Sequence, residues 1–368
     1  MNKLFMVAGE SSGDLHGAKL ASALLQRDPS LRLSAVGSTK MREAGVNVLW
    51  DISAAAATGI TEALGTVPKA LKLYLSVRRH LREERPDAVI LIDYPEFNLK
   101  LARFAKAEGI RVIYYILPQV WAWRKYRLKT LKAATDLRIA IFPFEEEFYR
   151  RDGLEVKFVG HPLLDELEVY RDRRAARERL GFKEELVIGL LPGSRMNEVG
   201  RHIGPMAAAC ERLRASHPQA RFPVACAPKI AAEFVRARSP LFEPVVGQTH
   251  TVMAAADLLV AASGTATLEA AIIGTPMVVV YKLSRLSWLA AKLLVSTPAI
   301  SMPNLVLGEK AVPELLQDEV TGERIAAEVQ KLLDGGLEKA RLRLTAARDL
   351  LGLPGAAYRA ADLILALA

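Results

Sequence analysis

The segment LFMVAGESSGD, residues 4–14, sets the expected fold of this chain. Its first five residues are apolar and favour a buried strand, and the polar, glycine-containing run leads into a predicted helix over 17–26. Strand, turn and helix in this order are typical of a parallel α/β sheet, whose ligands bind at the carboxyl ends of the strands. Gly9, Gly13 and Gly17 are spaced G-x3-G-x3-G, unlike the dinucleotide pattern G-x-G-x-x-G, which disfavours NAD binding. The turn alone fits a ligand loop and an ordinary connection equally well.

The same alternation of apolar runs and helical stretches continues through all 368 residues. The runs that favour strands are 4–8, 33–36, 88–92, 112–116, 137–141, 186–191, 222–225, 258–261 and 277–280. Because parallel neighbours need a crossover, usually a helix, we predict an α/β protein built on parallel sheets. The chain is too long for one ordinary core, so we predict two Rossmann-like domains. The predicted domains are 1–168 and 169–350, and a C-terminal helix within 351–368 is expected to pack back on the first domain.

The composition is that of a globular α/β protein, since 51% of the residues are hydrophobic and 25% are charged. Cys210 and Cys226 have no partner at a metal-ligand or redox spacing, so a reducing compartment is expected. Met1 leads directly into the first apolar strand, which predicts no secretory signal. The longest uncharged apolar stretch, 270–281, has 12 residues. It is shorter than the ~20 residues that span a bilayer, so no transmembrane helix is predicted.

Positive charge is concentrated in one part of the sequence. The chain carries a formal net charge of +9, and 65–132 alone contains 15 Lys and Arg against 6 Asp and Glu, which is also +9. This concentration indicates one anionic surface or partner. Leu71 and Leu75 lie on a predicted basic amphipathic helix of this region, and a later segment interleaves aromatic and basic residues: Trp121, Trp123, Arg124 and Tyr126. A solvated surface and a membrane-facing surface are both compatible with the pattern.

Asp93 directly follows the predicted strand 88–92. A carboxylate at the end of a buried parallel strand points toward the ligand crevice, where partial desolvation brings its pKa toward the range of a general base. A helix-capping aspartate is the alternative, but Asn98, after Pro95, is better placed for capping. We therefore favour Asp93 as a functional residue.

Two further loops follow predicted strands of the second domain. In the first, Gly193 and Ser194 let backbone amides approach an anion, and Arg195 supplies a forked cationic contact. The second loop opens a predicted helix and presents amides at its positive end. Its candidate residues are Ser263, Gly264, Thr265, Thr267 and Glu269. We expect Glu269 to accept hydrogen bonds from two ribose hydroxyls, and a solvated capping glutamate is the alternative.

No Asp-x-Asp, His-Glu-x-x-His or Gly-x4-Gly-Lys-[Ser/Thr] motif occurs in the sequence. The first absence argues against a sugar-nucleotide site that binds metal through Asp-x-Asp, and the others argue against zinc proteases and P-loop ATPases. We therefore predict no metal and no cofactor. Helix N-termini and cations such as Arg195 are expected to neutralise a leaving group.

Eight segments together resemble the lipid A disaccharide synthase family over nearly the full chain. They are GESSGD (9–14), IDYPEFN (92–98), PQVWAWR (118–124), FPFE (142–145), VGHPL (159–163), LLPGSR (190–195), SGTATLEA (263–270) and MPNLV (302–306). LLPGSR and SGTATLEA are shared more loosely by other UDP-sugar enzymes of the glycosyltransferase-B fold. PQVWAWR together with MPN is much more specific.

The resemblance implies an inverting glycosyltransferase of lipid A biosynthesis, of the glycosyltransferase-B fold, in which two Rossmann-like domains face a cleft. It implies transfer of 2,3-diacylglucosamine from its UDP derivative to the 6-hydroxyl of 2,3-diacylglucosamine 1-phosphate, which releases UDP as a β-1,6 linkage forms. Acylated glucosamines are then the substrates, and the first domain would face the acceptor and the cytoplasmic side of the cytoplasmic membrane, where the protein would bind peripherally.

The resemblance also implies roles for single residues. Asp93 matches the family's proposed base, and Glu10 is the next candidate. The acceptor-side loop is matched by Glu10, Ser11 and Ser12, and positions associated with UDP are matched by Arg195, Glu269 and Asn304. Leu117, where the family often has Ser, and Thr58, in a segment that commonly reads Met-Gly, depart from the pattern and leave acyl-chain preference open.

Two other classes of protein are alternatives. A soluble enzyme of the same fold, such as a UDP-N-acetylglucosamine 2-epimerase or a transferase with a non-lipid acceptor, would not need the basic, aromatic segment. A basic nucleic-acid-binding protein would explain the isoelectric point near 9.5 but not Asp93 and Glu269 at strand ends. We therefore expect no nucleic-acid partner. The apolar stretch 283–307 fits a core helix or a homodimer contact.

Overall fold

The computed structural model describes residues 1–52, 63–122, 124–284, 288 and 299–367, with Ser11 and 63–67 described by their backbone alone. The chain forms two compact units. Met1–Pro162 and Gly352–Ala368 make up the first, and Leu163–Leu351 makes up the second.

The first unit contains a seven-stranded parallel sheet. Its strands are β1 (Lys3–Ala8), β2 (Arg32–Gly37), β3 (Asn47–Asp51), β4 (Ala88–Ile92), β5 (Arg111–Tyr115), β6 (Leu137–Ala140) and β7 (Lys157–Phe158). Their order across the sheet is β3-β2-β1-β4-β5-β6-β7, with all neighbours parallel. The helices between them are α1 (Ser11–Arg27), α2 (Thr39–Glu43), α3 (Ala63–Glu84), α4 (Pro95–Ala107), α5 (Arg127–Ala134) and α6 (Pro143–Arg151).

The second unit repeats the plan with six parallel strands. They are β8 (Ile188–Leu191), β9 (Phe222–Cys226), β10 (Phe242–Val246), β11 (Leu258–Ala262), β12 (Met277–Tyr281) and β13 (Glu314–Leu316), in the order β10-β9-β8-β11-β12-β13. The described helices are α7 (Leu163–Leu167), α8 (Arg173–Leu180), α9 (Met196–Ser216), α10 (Ala232–Arg236), α11 (Thr249–Ala255), α12 (Thr265–Ile273), α13 (Met302–Leu307), α14 (Gly322–Lys331) and α15 (Leu337–Leu350).

The core of each unit lies along its central strands. Every residue of β4 and β11 is buried, because helices cover both faces of a parallel sheet and leave no strand face for water. In the first unit Ala8 of β1 pairs with Ile92 of β4. In the second unit Leu191 of β8 pairs with Ala261 of β11. The segments that leave these paired strands therefore emerge side by side, which places Gly9 next to the Asp93 turn.

The C-terminal helix α16 (Ala356–Leu365) packs against α1 in the first unit. The Arg27 Nε donates to the Asp362 carboxylate over 2.7 Å, and the Tyr358 hydroxyl donates to Gln26 over 2.9 Å. The boundary between the two units lies after Pro162, whereas the sequence predicted it after residue 168. Helix α7 packs against α12 and therefore belongs to the second unit.

Two helix predictions differ from the structure. Helix α1 begins at Ser11, well before the predicted start at residue 17. Its first turn contains Asp14, an acidic residue that the positive end of the helix dipole favours. The charged, helix-like sequence of 165–179 predicts one helix, but the structure divides it between α7 and α8 by a 3₁₀ turn at Glu168–Tyr170. Among the helices that the structure describes, none is long and apolar enough to cross a lipid bilayer.

Candidate active site

Asp93 lies in a strained turn between β4 and α4. Asp93 and Tyr94 both have left-handed backbones, with φ of 47° and 46°. Residues other than glycine rarely adopt this conformation. The turn is held by its neighbours: the Asp93 carbonyl accepts hydrogen bonds of 2.8 Å from Asn98 Nδ2 and from the Tyr114 hydroxyl. Burial raises the pKa of Tyr114 well above its ordinary value, so this phenol remains a donor. These contacts hold the backbone of the turn from which the Asp93 side chain projects.

Gly9 lets the end of β1 approach the same turn. A Cβ at Gly9 would lie 2.1 Å from the Tyr94 ring, so no larger residue fits without displacing that ring. Glu10 follows as the exposed N-cap of α1, and its side chain makes no capping hydrogen bond. The structure therefore brings together Asp93 and Glu10, the two residues that the sequence suggested as bases.

The charge of Glu10 reaches Asp93. Burial raises the pKa of the Asp93 carboxyl and the Glu10 carboxylate raises it further, while a hydrogen bond from the Tyr94 amide partly opposes them. A carboxylate with a raised pKa has a higher proton affinity, which suits a general base. Ser12 is exposed in the first turn of α1, and Ser11 is the first residue of that helix.

The aromatic segment after β5 is only partly a surface feature. Trp121 is half-buried, with its ring edge-on to Phe142 and Phe144, and its indole N–H donates to Glu145 over 3.2 Å. Tyr126 is 70% exposed, and Leu71 and Leu75 on α3 are 56% and 52% exposed. Arg124 is exposed and forms an ion pair with Glu96. Trp123 lies outside the described residues.

In the second unit, the loop between β8 and α9 presents its amides at a helix N-terminus. Gly193 has a φ of 123°, and a Cβ there would lie 2.8 Å from Glu198. The Glu198 carboxylate accepts from the Ser194 and Arg195 amides over 3.3 and 3.4 Å and pairs with the Arg195 guanidinium at 3.2 Å. An acidic group thus already occupies the anion-binding groups that the sequence predicted.

In the loop between β11 and α12, some residues are exposed and others form hydrogen bonds within the protein. Gly264 and Thr265 are exposed at the helix N-terminus, and Gly264 adopts a φ of 148°. Ser263 Oγ donates to the Ile300 carbonyl over 2.7 Å. Thr267 is fully buried and links the Gly264 carbonyl to the Met302 amide. The first pair offers contacts to a ligand, whereas Ser263 and Thr267 hold the loop against residues 300–302.

Glu269 is partly buried on α12 and pairs with His250. Its Oε2 lies 3.3 Å from His250 Nε2, and the His250 ring lies against Tyr170 with ring centroids 4.9 Å apart. The carboxylate is therefore neither a free surface group nor a helix cap. His250 was missed at the sequence level because it is nineteen positions from Glu269 and carries no motif.

Asn304 uses its whole amide inside the protein. Its Nδ2 donates to Val312 O and Glu314 Oε1 over 3.0 and 2.8 Å, and its Oδ1 accepts from the Ala311 and Val312 amides over 2.7 and 2.9 Å. The residue is 3% exposed. In this structure Asn304 fixes the segment before β13 and offers no free polar atom to a ligand.

His202 is a further residue that sequence reasoning missed. It is fully buried on α9; its Nδ1 lies 2.8 Å from the Pro192 carbonyl, and its Nε2 accepts from the Lys282 amide over 3.0 Å. Burial lowers the pKa of the ring, and a neutral tautomer with the proton on Nδ1 satisfies both contacts. Its spacing from the buried Val199 and Met206 was the available signal. The described residues contain no group of His, Cys, Asp and Glu side chains that could hold a metal ion.

The paired parallel sheets place the chain in a known structural class. A UDP-GlcNAc 2-epimerase from Neisseria meningitidis bound to UDP-GlcNAc superposes with a TM-score of 0.67 at 13% identity, over 100% of both chains. The glycotransferase of kitacinnamycin gives a TM-score of 0.67 at 19% identity, over 99% of this chain and 98% of the other. The fold is therefore the predicted α/β fold of two Rossmann-like units, of glycosyltransferase-B type.

Sequence relatives identify the family. Residues 4–355 match the model of the lipid-A-disaccharide synthetase family. Lipid-A-disaccharide synthases from Syntrophus aciditrophicus and Geobacter sulfurreducens are 41% and 39% identical, each over 99% of this chain and 97% of the relative. The protein of the same name from Pseudomonas aeruginosa is 39% identical over 92% of this chain and 91% of its own length. The chain belongs to the lipid-A-disaccharide synthetase family and is a UDP-sugar-dependent glycosyltransferase of lipid A biosynthesis, which confirms the sequence prediction.

Proposed function

We propose that this chain transfers 2,3-diacylglucosamine from its UDP derivative to the 6-hydroxyl of 2,3-diacylglucosamine 1-phosphate, with inversion at the anomeric carbon. The products are a β-1,6-linked disaccharide 1-phosphate and UDP. The observation that carries the proposal is the Asp93 turn: a partly buried carboxylate of raised pKa, in a strained backbone, beside Glu10. Inversion in one displacement needs one base, and Asp93 fits that role.

In this mechanism Asp93 acts on the acceptor. Its carboxylate accepts the proton of the 6-hydroxyl while that oxygen forms a bond to the anomeric carbon of the donor. The bond from that carbon to the diphosphate oxygen breaks, and its electron pair leaves with UDP. The acidic residue Glu10, with Ser11 and Ser12 in the first turn of α1, would orient the acceptor sugar.

The second unit would bind the departing UDP. Gly264 and Thr265 are exposed at the N-terminus of α12, where the helix dipole favours negative charge. The Ser194 amide lies just before the N-terminus of α9, and the diphosphate would replace Glu198 as its acceptor. Arg195 is 74% exposed, and diphosphate oxygens would replace Glu198 as its partner. Glu269 would accept hydrogen bonds from the ribose hydroxyls. These groups supply the charge neutralisation that the leaving group needs, so we propose no cofactor beyond the UDP-sugar substrate.

We propose further that the first unit contacts the cytoplasmic face of the membrane, from which a diacylated substrate must be drawn. Support comes from α3, where the exposed Leu71 and Leu75 are accompanied by the exposed Lys69, Lys72 and Arg79. Apolar side chains among basic ones are typical of helices that lie in a lipid interface.

The test is UDP release from UDP-diacylglucosamine, with the acylated and the deacylated acceptor compared. We expect rapid UDP release with the acylated acceptor but not with the deacylated one. NMR of the disaccharide product should show a β linkage. The absence of release would contradict the proposal, and equal rates with both acceptors would favour a transferase with a non-lipid acceptor.

A variant tests the base. Asp93→Asn should lower kcat by about 100-fold or more with UDP affinity unchanged, since general-base catalysis contributes about 10²–10⁴-fold. Asp152→Asn, an exposed carboxylate of the same unit, is the control and should keep full activity. Full activity in Asp93→Asn would remove Asp93 as the base and leave Glu10 as the next candidate.

A further inference from the structure

The segment that follows β5, residues 118–122 and 124–126, is held at both ends; we call it the Trp loop. Strand β5 lies beside β4, with Tyr115 paired to Ile92, so the Trp loop leaves the sheet next to the Asp93 turn. Its first contacts are with α6. The Tyr149 hydroxyl donates to the Pro118 carbonyl over 2.9 Å, and Trp121 packs edge-on to Phe142 and Phe144.

Glu145 is the polar centre of this contact. Its side chain is 1% exposed, and its carboxylate accepts from Trp121 Nε1 over 3.2 Å and from the Phe142 and Ile141 amides over 3.1 and 3.3 Å. A buried carboxylate is costly unless donors surround it, and burial raises the pKa of Glu145 to about 7. The two amides belong to the residues directly before α6, of which Phe142 is the N-cap. The Trp121 indole is the donor that comes from the Trp loop.

The other end of the Trp loop is tied to the Asp93 turn. Glu96, in the first turn of α4, forms ion pairs with Arg124 and with Arg127, the first residue of α5. The Arg127 side chain is only 5% exposed, so this pair is anchored in the protein even though Glu96 is 65% exposed. Glu96 lies three positions after Asp93. The Trp loop thus bridges α6 and α4, the helix that begins two residues after the proposed base.

We propose that Glu145 and Glu96 are positioning residues that fix the Trp loop as one wall of the acceptor site beside Asp93. The inference rests on the function proposed above, in which Asp93 deprotonates the acceptor. It assigns Trp121 to an internal anchor and leaves the exposed Tyr126 to face solvent or lipid. Neither glutamate touches substrate in this proposal, and both act through the position of the Trp loop.

Two single variants and their combination test the α6 end. Glu145→Gln removes one acceptor oxygen, and Trp121→Phe removes the indole N–H but keeps an aromatic ring. Each should raise the acceptor KM by about fivefold or more, while donor KM and UDP affinity stay within about twofold. The double variant should be no worse than Glu145→Gln alone, because both changes remove one interaction.

The matched control is Glu147→Gln on the same helix. Glu147 is about half exposed and pairs with Arg150 and Arg151 at the surface, so its loss should leave both KM values unchanged. Glu96→Gln tests the other end and should raise the acceptor KM in the same way, with a smaller effect because the carboxylate is largely exposed.

The outcomes separate this inference from the proposed function. A wild-type protein that releases no UDP refutes the function itself. An active wild type with unchanged acceptor KM in Trp121→Phe overturns the positioning role, as does an equal rise of donor and acceptor KM, which a general loss of structure would produce. If Glu145→Gln does not fold, Trp121→Phe decides alone, since it leaves the carboxylate and both of its backbone donors in place.

Discussion

At the level of single residues, backbone strain and electrostatics converge on the turn after β4. Left-handed backbone costs an ordinary residue roughly 1–2 kcal/mol, and Asp93 and Tyr94 adopt it in succession. The hydrogen bonds from Asn98 and Tyr114 to the Asp93 carbonyl offset part of that cost. Strain kept in place by surrounding contacts is a recurring property of functional sites, because it fixes a side chain in one direction.

Glu10→Gln should shift the acid limb of the pH–rate profile. The Glu10 charge is one cause of the raised pKa of Asp93, so its removal moves that pKa down toward the ordinary value. A base must be deprotonated, so wild-type activity falls as the pH drops through the raised pKa, and the variant should stay active to lower pH. The measurement is kcat/KM against pH. Glu43→Gln, an exposed carboxylate on α2, should reproduce the wild-type limb, and an unshifted limb in Glu10→Gln would show that the two carboxylates do not interact.

Gly9→Ala should damage the site through sterics alone. The added Cβ would lie 2.1 Å from the Tyr94 ring, so the ring and the Asp93 turn must move. We expect kcat to fall by about tenfold or more, as misplaced catalytic groups cost that much. Gly200→Ala on α9 meets nothing within 4 Å and should be neutral or stabilising by about 0.5–1 kcal/mol. Equal kcat values for Gly9→Ala and the wild type would mean that the turn tolerates displacement.

Among the elements that the structure describes, four strands are absent from the sequence prediction: β3, β7, β10 and β13. All four are edge strands of their sheets. An edge strand is covered on fewer sides, so its residues alternate or mix in burial, and no continuous apolar run marks it. Strands β1, β4, β8 and β11 are central and nearly or fully buried, and the sequence pattern predicted each of them.

Helix α3 is where the proposed membrane contact is testable. Leu71 and Leu75 are four positions apart, so they share one face, and both are more than half exposed. Replacing both with Glu should weaken binding to phosphatidylglycerol vesicles by about tenfold or more, since it removes two apolar groups and adds negative charge facing an anionic surface. Vesicle sedimentation measures this. Leu342→Glu, at a leucine 71% exposed in the second unit, is the control, and equal binding by all three proteins would exclude α3 from the contact.

At the level of the whole molecule, the C-terminal segment completes the first unit, although the second unit precedes it in the chain. Truncation after Leu351 should therefore loosen α1, which loses Asp362 and Tyr358 as partners of Arg27 and Gln26, and should leave UDP affinity unchanged. Hydrogen exchange of the α1 amides and calorimetric UDP binding are the two measurements. Faster exchange confined to the second unit would contradict the assignment of α16.

The sequence by itself determined the fold class, the central strands and the places where the candidate functional residues follow them. Apolar runs of strand length, separated by helical stretches, permit few arrangements other than parallel α/β sheets, and residues after such strands must lie at their carboxyl edge. Asp93, Glu10, Gly193 and Gly264 could be found in this way. Motif resemblance then indicated the family, which the relatives confirmed.

Only the tertiary structure decided which polar side chains face inward. Asn304 and Thr267 form their hydrogen bonds within the protein. The Trp121 indole donates to Glu145, so this side chain is not fully exposed. Trp121 and its partner Glu145 are twenty-four positions apart in the sequence, and Thr267 and its partner Met302 are thirty-five positions apart. A local pattern fixes the period of a helix or strand, but a polar group's partner is set by contacts between distant segments, which exist only once the chain has folded.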